Sequence, residues 1–108
     1  MSEKGTKAEK REKVAIPAEM FACLDDKGEN YLLEIELPGV EKKDIELTMQ
    51  EDLVSVKAER EDQVLLGHMH FPLKVNQAKA EAVFKQGLLA VTVPVKEKRA
   101  PATTIKIK

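Results

Sequence analysis

The 108-residue chain is poor in the residues that staple, anchor or do chemistry: it has one cysteine, no tryptophan, one tyrosine, three phenylalanines and two histidines. A lone Cys23 cannot close an internal disulfide, so nothing in the chain is built for an oxidising compartment, and a cytoplasmic location is expected. No apolar run approaches the ~20 residues of a membrane span, and Met1-Ser2-Glu3-Lys4-Gly5 does not open a signal-peptide-like stretch, so no membrane partner is expected. The sequence also lacks a phosphate-cradling Gly-rich loop, a dinucleotide fingerprint, a Cys pair for zinc and a Gly-x-Ser-x-Gly elbow. These gaps predict a non-enzyme with no catalytic residues, no cofactor and no small-molecule substrate.

The few reactive side chains have plain structural explanations. His68 and His70, at i and i+2, share one strand face and would need a third ligand to chelate a soft divalent ion. Solvent-facing positions opposite Met69 and Phe71 explain them more simply, and no metal site is expected. Cys23, beside Phe21 and Leu24, reads as a packing or edge residue rather than a nucleophile. Tyr31 and Phe84 lack the basic interleaving of a nucleic-acid stacking platform and read as core or sheet residues.

Charge is abundant but unevenly placed. Residues 1–13 carry five basic and three acidic side chains, a net +2, and residues 96–108 carry five basic and one acidic, a net +4. The body between them holds eight basic and fifteen acidic groups, a net −7. Phosphate binding needs a concentrated basic face, so this acidic body argues against duplex nucleic acid as the main partner, and no nucleic-acid partner is expected. Residues 1–14 are expected to form a charged, disordered arm, 15–95 the folded domain and 96–108 a flexible basic tail.

Within the body, apolar residues alternate with polar ones in short runs: Leu33, Ile35 and Leu37; Ile45, Leu47 and Met49; Val54, Val56 and Ala58; Met69, Phe71 and Leu73; Ala80, Ala82 and Phe84; Leu89, Val91 and Val93. Period two is the signature of half-buried strands. Asp25 to Asn30, with Gly28, reads as a hairpin turn, Gln50-Glu51-Asp52 as a tight connection, and Pro38, Gly39 and Pro94 as strand stops. Single helical turns fit Glu41–Asp44 and Asn76–Lys79. The expected fold is all-β, an immunoglobulin-like antiparallel sandwich of about seven or eight strands.

Three stretches resemble the α-crystallin domain of the small heat-shock protein family. Leu37-Pro38-Gly39-Val40 followed by Asp44-Ile45 is similar to that family's strand exit and re-entry. Leu53 to Arg60 resembles the strand that follows. Ala82-Val83-Phe84-Lys85-Gln86-Gly87-Leu88-Leu89, with the alternation running on to Pro94, matches the family signature of Ala, four residues, Gly, an aliphatic and Leu. At the end of the chain, Ile105-Lys106-Ile107 resembles the Ile-x-Ile motif that in the family docks as an added edge strand on a neighbouring subunit. The resemblance implies an ATP-independent holdase whose partners are unfolded client proteins and other copies of itself. It also implies a docking groove between the strand of Ile45, Leu47 and Met49 and the strand of Ala82 and Phe84.

Burying two Ile side chains contributes about 3–6 kcal/mol before ordering costs, so such a tail contact is weak and exchangeable. Pairing of the tail within its own subunit is the other possibility. Salt should loosen any attraction between the basic tail and the acidic body. The sequence departs from the family where Glu61-Asp62-Gln63 runs almost at once into Val64, leaving little room for a swapped strand and counting against the usual dimer. A CS-domain-like adaptor that docks on one specific partner is the alternative; it would share the sandwich and lack the swap loop.

Overall fold

In the computed structural model, residues 13–97 and 101–108 are described. Eight strands follow one another: β1 (Val14–Pro17), β2 (Glu19–Leu24), β3 (Asn30–Glu36), β4 (Ile45–Gln50), β5 (Leu53–Arg60), β6 (Gln63–His70), β7 (Glu81–Lys85) and β8 (Leu88–Pro94). Single 3-10 turns cover Lys42–Asp44 and Gln77–Lys79, where the sequence predicts helical turns. The strands form two four-stranded sheets, in the orders β1-β6-β5-β4 and β2-β3-β8-β7. All pairings are antiparallel except β1 with β6, which is parallel.

The period-two runs place one face of each sheet in a common core. On β3 and β8, Tyr31, Leu33 and Ile35 stand opposite Val93, Val91 and Leu89, and all six are buried. Val54, Val56 and Ala58 of β5 and Leu65 of β6 supply the facing layer. Each fully buried Val, Leu or Ile contributes roughly 1.5–3 kcal/mol, which is why strict alternation is enough to fix the inward face. The Tyr31 and Phe71 rings close one end of this core, with centroids 5.0 Å apart.

Turn chemistry joins the strands as the residues require. Asp25 accepts the Glu29 N–H at 2.8 Å and the Asn30 side-chain amide at 2.9 Å, holding the β2–β3 turn in which Gly28 takes φ +69°. The β7–β8 hairpin turns on Gln86 and Gly87, at φ 49° and 82°, the two left-handed positions of a type I′ turn. The Gly87 carbonyl accepts the Leu37 N–H at 2.7 Å. A Cβ on Gly87 would lie 3.4 Å from Pro38 Cα, so the Leu37-Pro38-Gly39 and Gly87 stretches are packed on each other.

Three expectations need correction. Phe71 and Leu73 do not extend β6, which ends at His70. Pro72 has no N–H to give a ladder, the Phe71 N–H goes instead to Asp52 O at 2.9 Å, and the Leu73 N–H goes to the Tyr31 hydroxyl at 3.1 Å. Ala80 closes the Gln77–Lys79 turn, and β7 begins one residue later. Val14, assigned to the arm by composition, opens β1, whose Val14 and Ala18 N–H groups bond to Asp62 O at 2.9 Å and Leu66 O at 2.8 Å. Lys13, also in the expected arm, pairs with Glu59 at 2.9 Å, and residues 1–12 lie outside the described residues.

Candidate functional site: the open side of the sandwich and the tail

The sandwich has two unlike sides. Ala18 alone separates β1 from β2, and there the chain crosses from the edge of one sheet to the edge of the other. Those two edges therefore share one side, and β4 and β7 end the sheets on the opposite side. At the crossing, Gly67 of β6 leaves room for Met20; a Cβ on Gly67 would stand 2.7 Å from Met20 Sδ. Arg60, at the end of β5, donates to Pro38 O and to Gln63 Oε1, the latter at 2.8 Å. Among the described residues the β5–β6 connection is only Glu61-Asp62, with Glu61 at φ 43°.

On the open side, Ile45, Leu47 and Met49 of β4 stand opposite Ala58, Val56 and Val54 of β5, so they point toward the core. They stay half-buried because, among the described residues, no strand lies beyond β4. Phe84 of β7, opposite Leu89, is half-buried against the same core. Ala82, opposite Val91, shares its face but is exposed. All five residues expected to line a groove thus sit on the two terminal strands of one side. Depressions of about 260 and 420 Å³ at the two ends of β4 open toward the outer face of its sheet, the first beside Glu46, Lys57 and Glu59, the second beside Thr48, Leu53 and Ser55.

The root of the tail is pinned. Val95 N–H bonds to Glu29 O and Lys96 N–H to Lys74 O, each at 2.8 Å. Glu51 accepts the Lys96 ammonium at 2.9 Å and lies 3.4 Å from that of Lys74. These two lysines, Lys96 first, hold the Glu51 carboxyl below the usual glutamate range. Beyond this clamp, which the sequence reading missed, residues 101–108 belong to no strand. Ile105 is 74% exposed and Ile107 91% exposed. In an extended segment, residues i and i+2 point the same way, so the two Ile side chains form one short apolar stripe with Lys106 on the other side.

The remaining expected residues are accounted for by structure. In the family-like signature, Leu37 and Leu89 are buried, Gly39 takes φ +79°, Asp44 ends the 3-10 turn before β4, and Pro94 ends β8. His68 and His70 are exposed on β6 with ring centroids 6.3 Å apart, and no group of three or more metal-ligating side chains occurs among the described residues. Cys23 is free and exposed. Among those residues, no helix is long and apolar enough to cross a membrane.

This eight-stranded sandwich, with its Gly87 hairpin packed on Pro38, is an α-crystallin-type fold. Heat shock protein 16.0 of Schizosaccharomyces pombe superposes with a TM-score of 0.70 at 22% identity, over 86% of this chain and 99% of that one. The Hsp20/alpha crystallin family matches residues 24–108, and the chain belongs to that family. A probable 15 kDa heat shock protein of Leptospira interrogans is 28% identical, over 87% of this chain and 80% of its own. Small heat shock protein C2 of Rickettsia felis is 26% identical over 62% of this chain, a match spanning 54% of that relative.

Proposed function

We propose that the chain is an ATP-independent holdase that binds partly unfolded proteins and self-assembles by docking its C-terminal Ile pair on the open side of another copy. Family membership supports a chaperone-type function. The observation that carries the finer reading is the mismatch between two surfaces: Ile105 and Ile107 stand in solvent at the end of a pinned tail, while Ile45, Leu47, Met49 and Phe84 are only half covered. Two strand edges that no described strand covers lie beside that apolar row and suit an added extended segment, whose backbone pairs with the edge while alternate side chains enter the row. The net gain is small once the tail is ordered, so subunits exchange and the row becomes available to clients. A reducing compartment, the cytoplasm, suits a chain whose single cysteine is exposed and unpaired.

Two measurements test this. Equal masses of this protein and a heat-labile client should scatter less light on heating than the client alone; undiminished scattering ends the holdase reading. Replacing Ile105 and Ile107 by Ala should lower the mass measured by light scattering after size exclusion. An identical mass for both proteins rules out tail docking.

A further inference from the structure

The two outer faces of the sandwich differ in chemistry. On the β1-β6-β5-β4 sheet the outer face is mixed, with Leu53 and the exposed Leu66 set among Thr48, Ser55, His68 and His70. Its Glu59 is paired with Lys13 at 2.9 Å. On the other sheet, register brings apolar side chains outward in adjacent rows: Phe21 and Glu34 lie side by side, followed by Ala90 and Val83, while Leu32 and Leu88 occupy the rows above and below. Phe21 is 55% exposed, Val83 59%, Leu32 40% and Leu88 36%. Exposed aromatic and aliphatic residues that adjoin through the register form a surface of the kind that marks a binding site.

The charges on that face are mostly negative. Glu19, Glu34, Glu36 and Glu81 are all exposed on it, against Lys85 alone. Among the described residues none of these four carboxylates is ion-paired. Successive same-face positions on a strand are ~6.8 Å apart and neighbouring strands ~4.8 Å, so the carboxylates interleave with the apolar residues at the spacing of an extended peptide's own side chains.

We propose that the outer face of the β2-β3-β8-β7 sheet captures extended segments that present Lys or Arg and apolar residues by turns on one side, at every second position. The proposal rests on the holdase reading for its biological setting and names the class of client segment selected. Charge complementarity commits it: a carboxylate-bearing apolar face attracts a cationic apolar strand and repels an anionic one. This surface is separate from the row on the open side, so a docked tail leaves it free.

Cys23 gives the test a built-in reporter, because the chain's one thiol is exposed on the same face, opposite Leu32. The probes are fluorescent ten-residue peptides in which Lys and Val take turns at every second position with Ser between them, or the same peptide with Glu for Lys, followed by anisotropy against the full chain. At low salt the Lys peptide should bind at least ~10-fold more tightly than the Glu peptide, and the gap should shrink as ionic strength rises toward ~0.3 M. Saturation with the Lys peptide should slow the reaction of Cys23 with a soluble disulfide reagent at least ~2-fold, since the thiol must be reached to react.

Glu34→Lys should reduce or invert the preference, whereas Glu46→Lys, the same charge change on the other sheet, should leave most of it. Equal affinity for the two peptides overturns the proposal. So does an unchanged Cys23 rate with peptide bound, or equal effects of the two Lys substitutions. Wild-type salt dependence and thiol protection decide the matter even if a variant fails to fold. Client light scattering separates this proposal from the holdase reading. Protection of basic and acidic clients alike keeps the holdase and removes the selectivity, whereas peptide binding at Cys23 without protection of any client does the reverse.

Discussion

On one side of the sandwich β1 is paired to β6 and the chain turns the corner into β2; on the other, β4 and β7 end their sheets with no described strand beyond them. β6 and β4 both turn apolar residues inward by register. Leu65 of β6 is 3% exposed, yet Leu47 of β4, equally inward in register, is half-buried. The difference teaches that covering strands, rather than side-chain pattern, decide which apolar residues become core and which become a surface for another chain. One substitution made on both sides measures this. Leu65→Ala should cost about 2–5 kcal/mol in urea or thermal unfolding, and Leu47→Ala about half of that, because less of the side chain leaves water on folding. Equal losses would mean that the two sides are equally closed.

The closed side can be pried open at its tightest contact. Gly67→Val places a branched side chain where Met20 Sδ already sits, so β2 must shift or Met20 must leave its site, at a cost of about 1–3 kcal/mol. Met20→Ala in the same chain should recover much of that loss, a coupling visible in a double-mutant cycle. If the two losses simply add, Met20 is not what makes Gly67 necessary.

The strands were legible where period two runs unbroken for five residues or more, as in β3, β4, β5 and β8. It failed at Phe71 and Leu73, where the alternation continues but Pro72 cannot enter a ladder. β1 was not legible as a distinct strand: four residues carry little pattern, and their partner lies some 49 positions further on, in a parallel pairing that no turn announces. The groove residues Ile45, Leu47, Met49, Ala82 and Phe84 came from family resemblance, since in sequence they look like any other core-facing residues. Their edge positions follow from strand order, a non-local property. The Glu51 clamp on Lys74 and Lys96 was invisible for the same reason.

The tail variant sharpens the comparison without touching the core. Ile105→Ala with Ile107→Ala should leave the unfolding midpoint of the isolated subunit within about 0.5 kcal/mol, because both side chains are already in water, while the assembly mass falls. Raising salt should lower the wild-type mass in the same direction, since a +4 tail and a −7 body attract less when screened. Loss of subunit stability in the variant would place the tail against its own sheet.

The smallest effect concerns the charge that fastens β1. Lys13 donates to Glu59 at 2.9 Å, just before β1 begins, and it holds the Glu59 carboxyl below the usual glutamate range. A carboxyl lowered in the folded state contributes stability above its unfolded pKa, and that contribution is lost as pH falls through the folded value. Glu59→Gln should therefore loosen β1 at neutral pH and have less and less effect as pH falls through the folded value, below which the wild-type carboxyl is protonated in folded and unfolded chains alike. The reporters are the Val14 and Ala18 N–H groups, whose bonds to Asp62 and Leu66 carbonyls join β1 to β6. Their hydrogen-exchange protection should drop modestly in the variant at neutral pH and match wild type in acid. Because the pair is exposed, salt should shrink the neutral-pH difference as well. A drop that persists in acid would assign the loosening to side-chain shape rather than charge, and β1 would then be held by its ladder and the Ala18 corner alone.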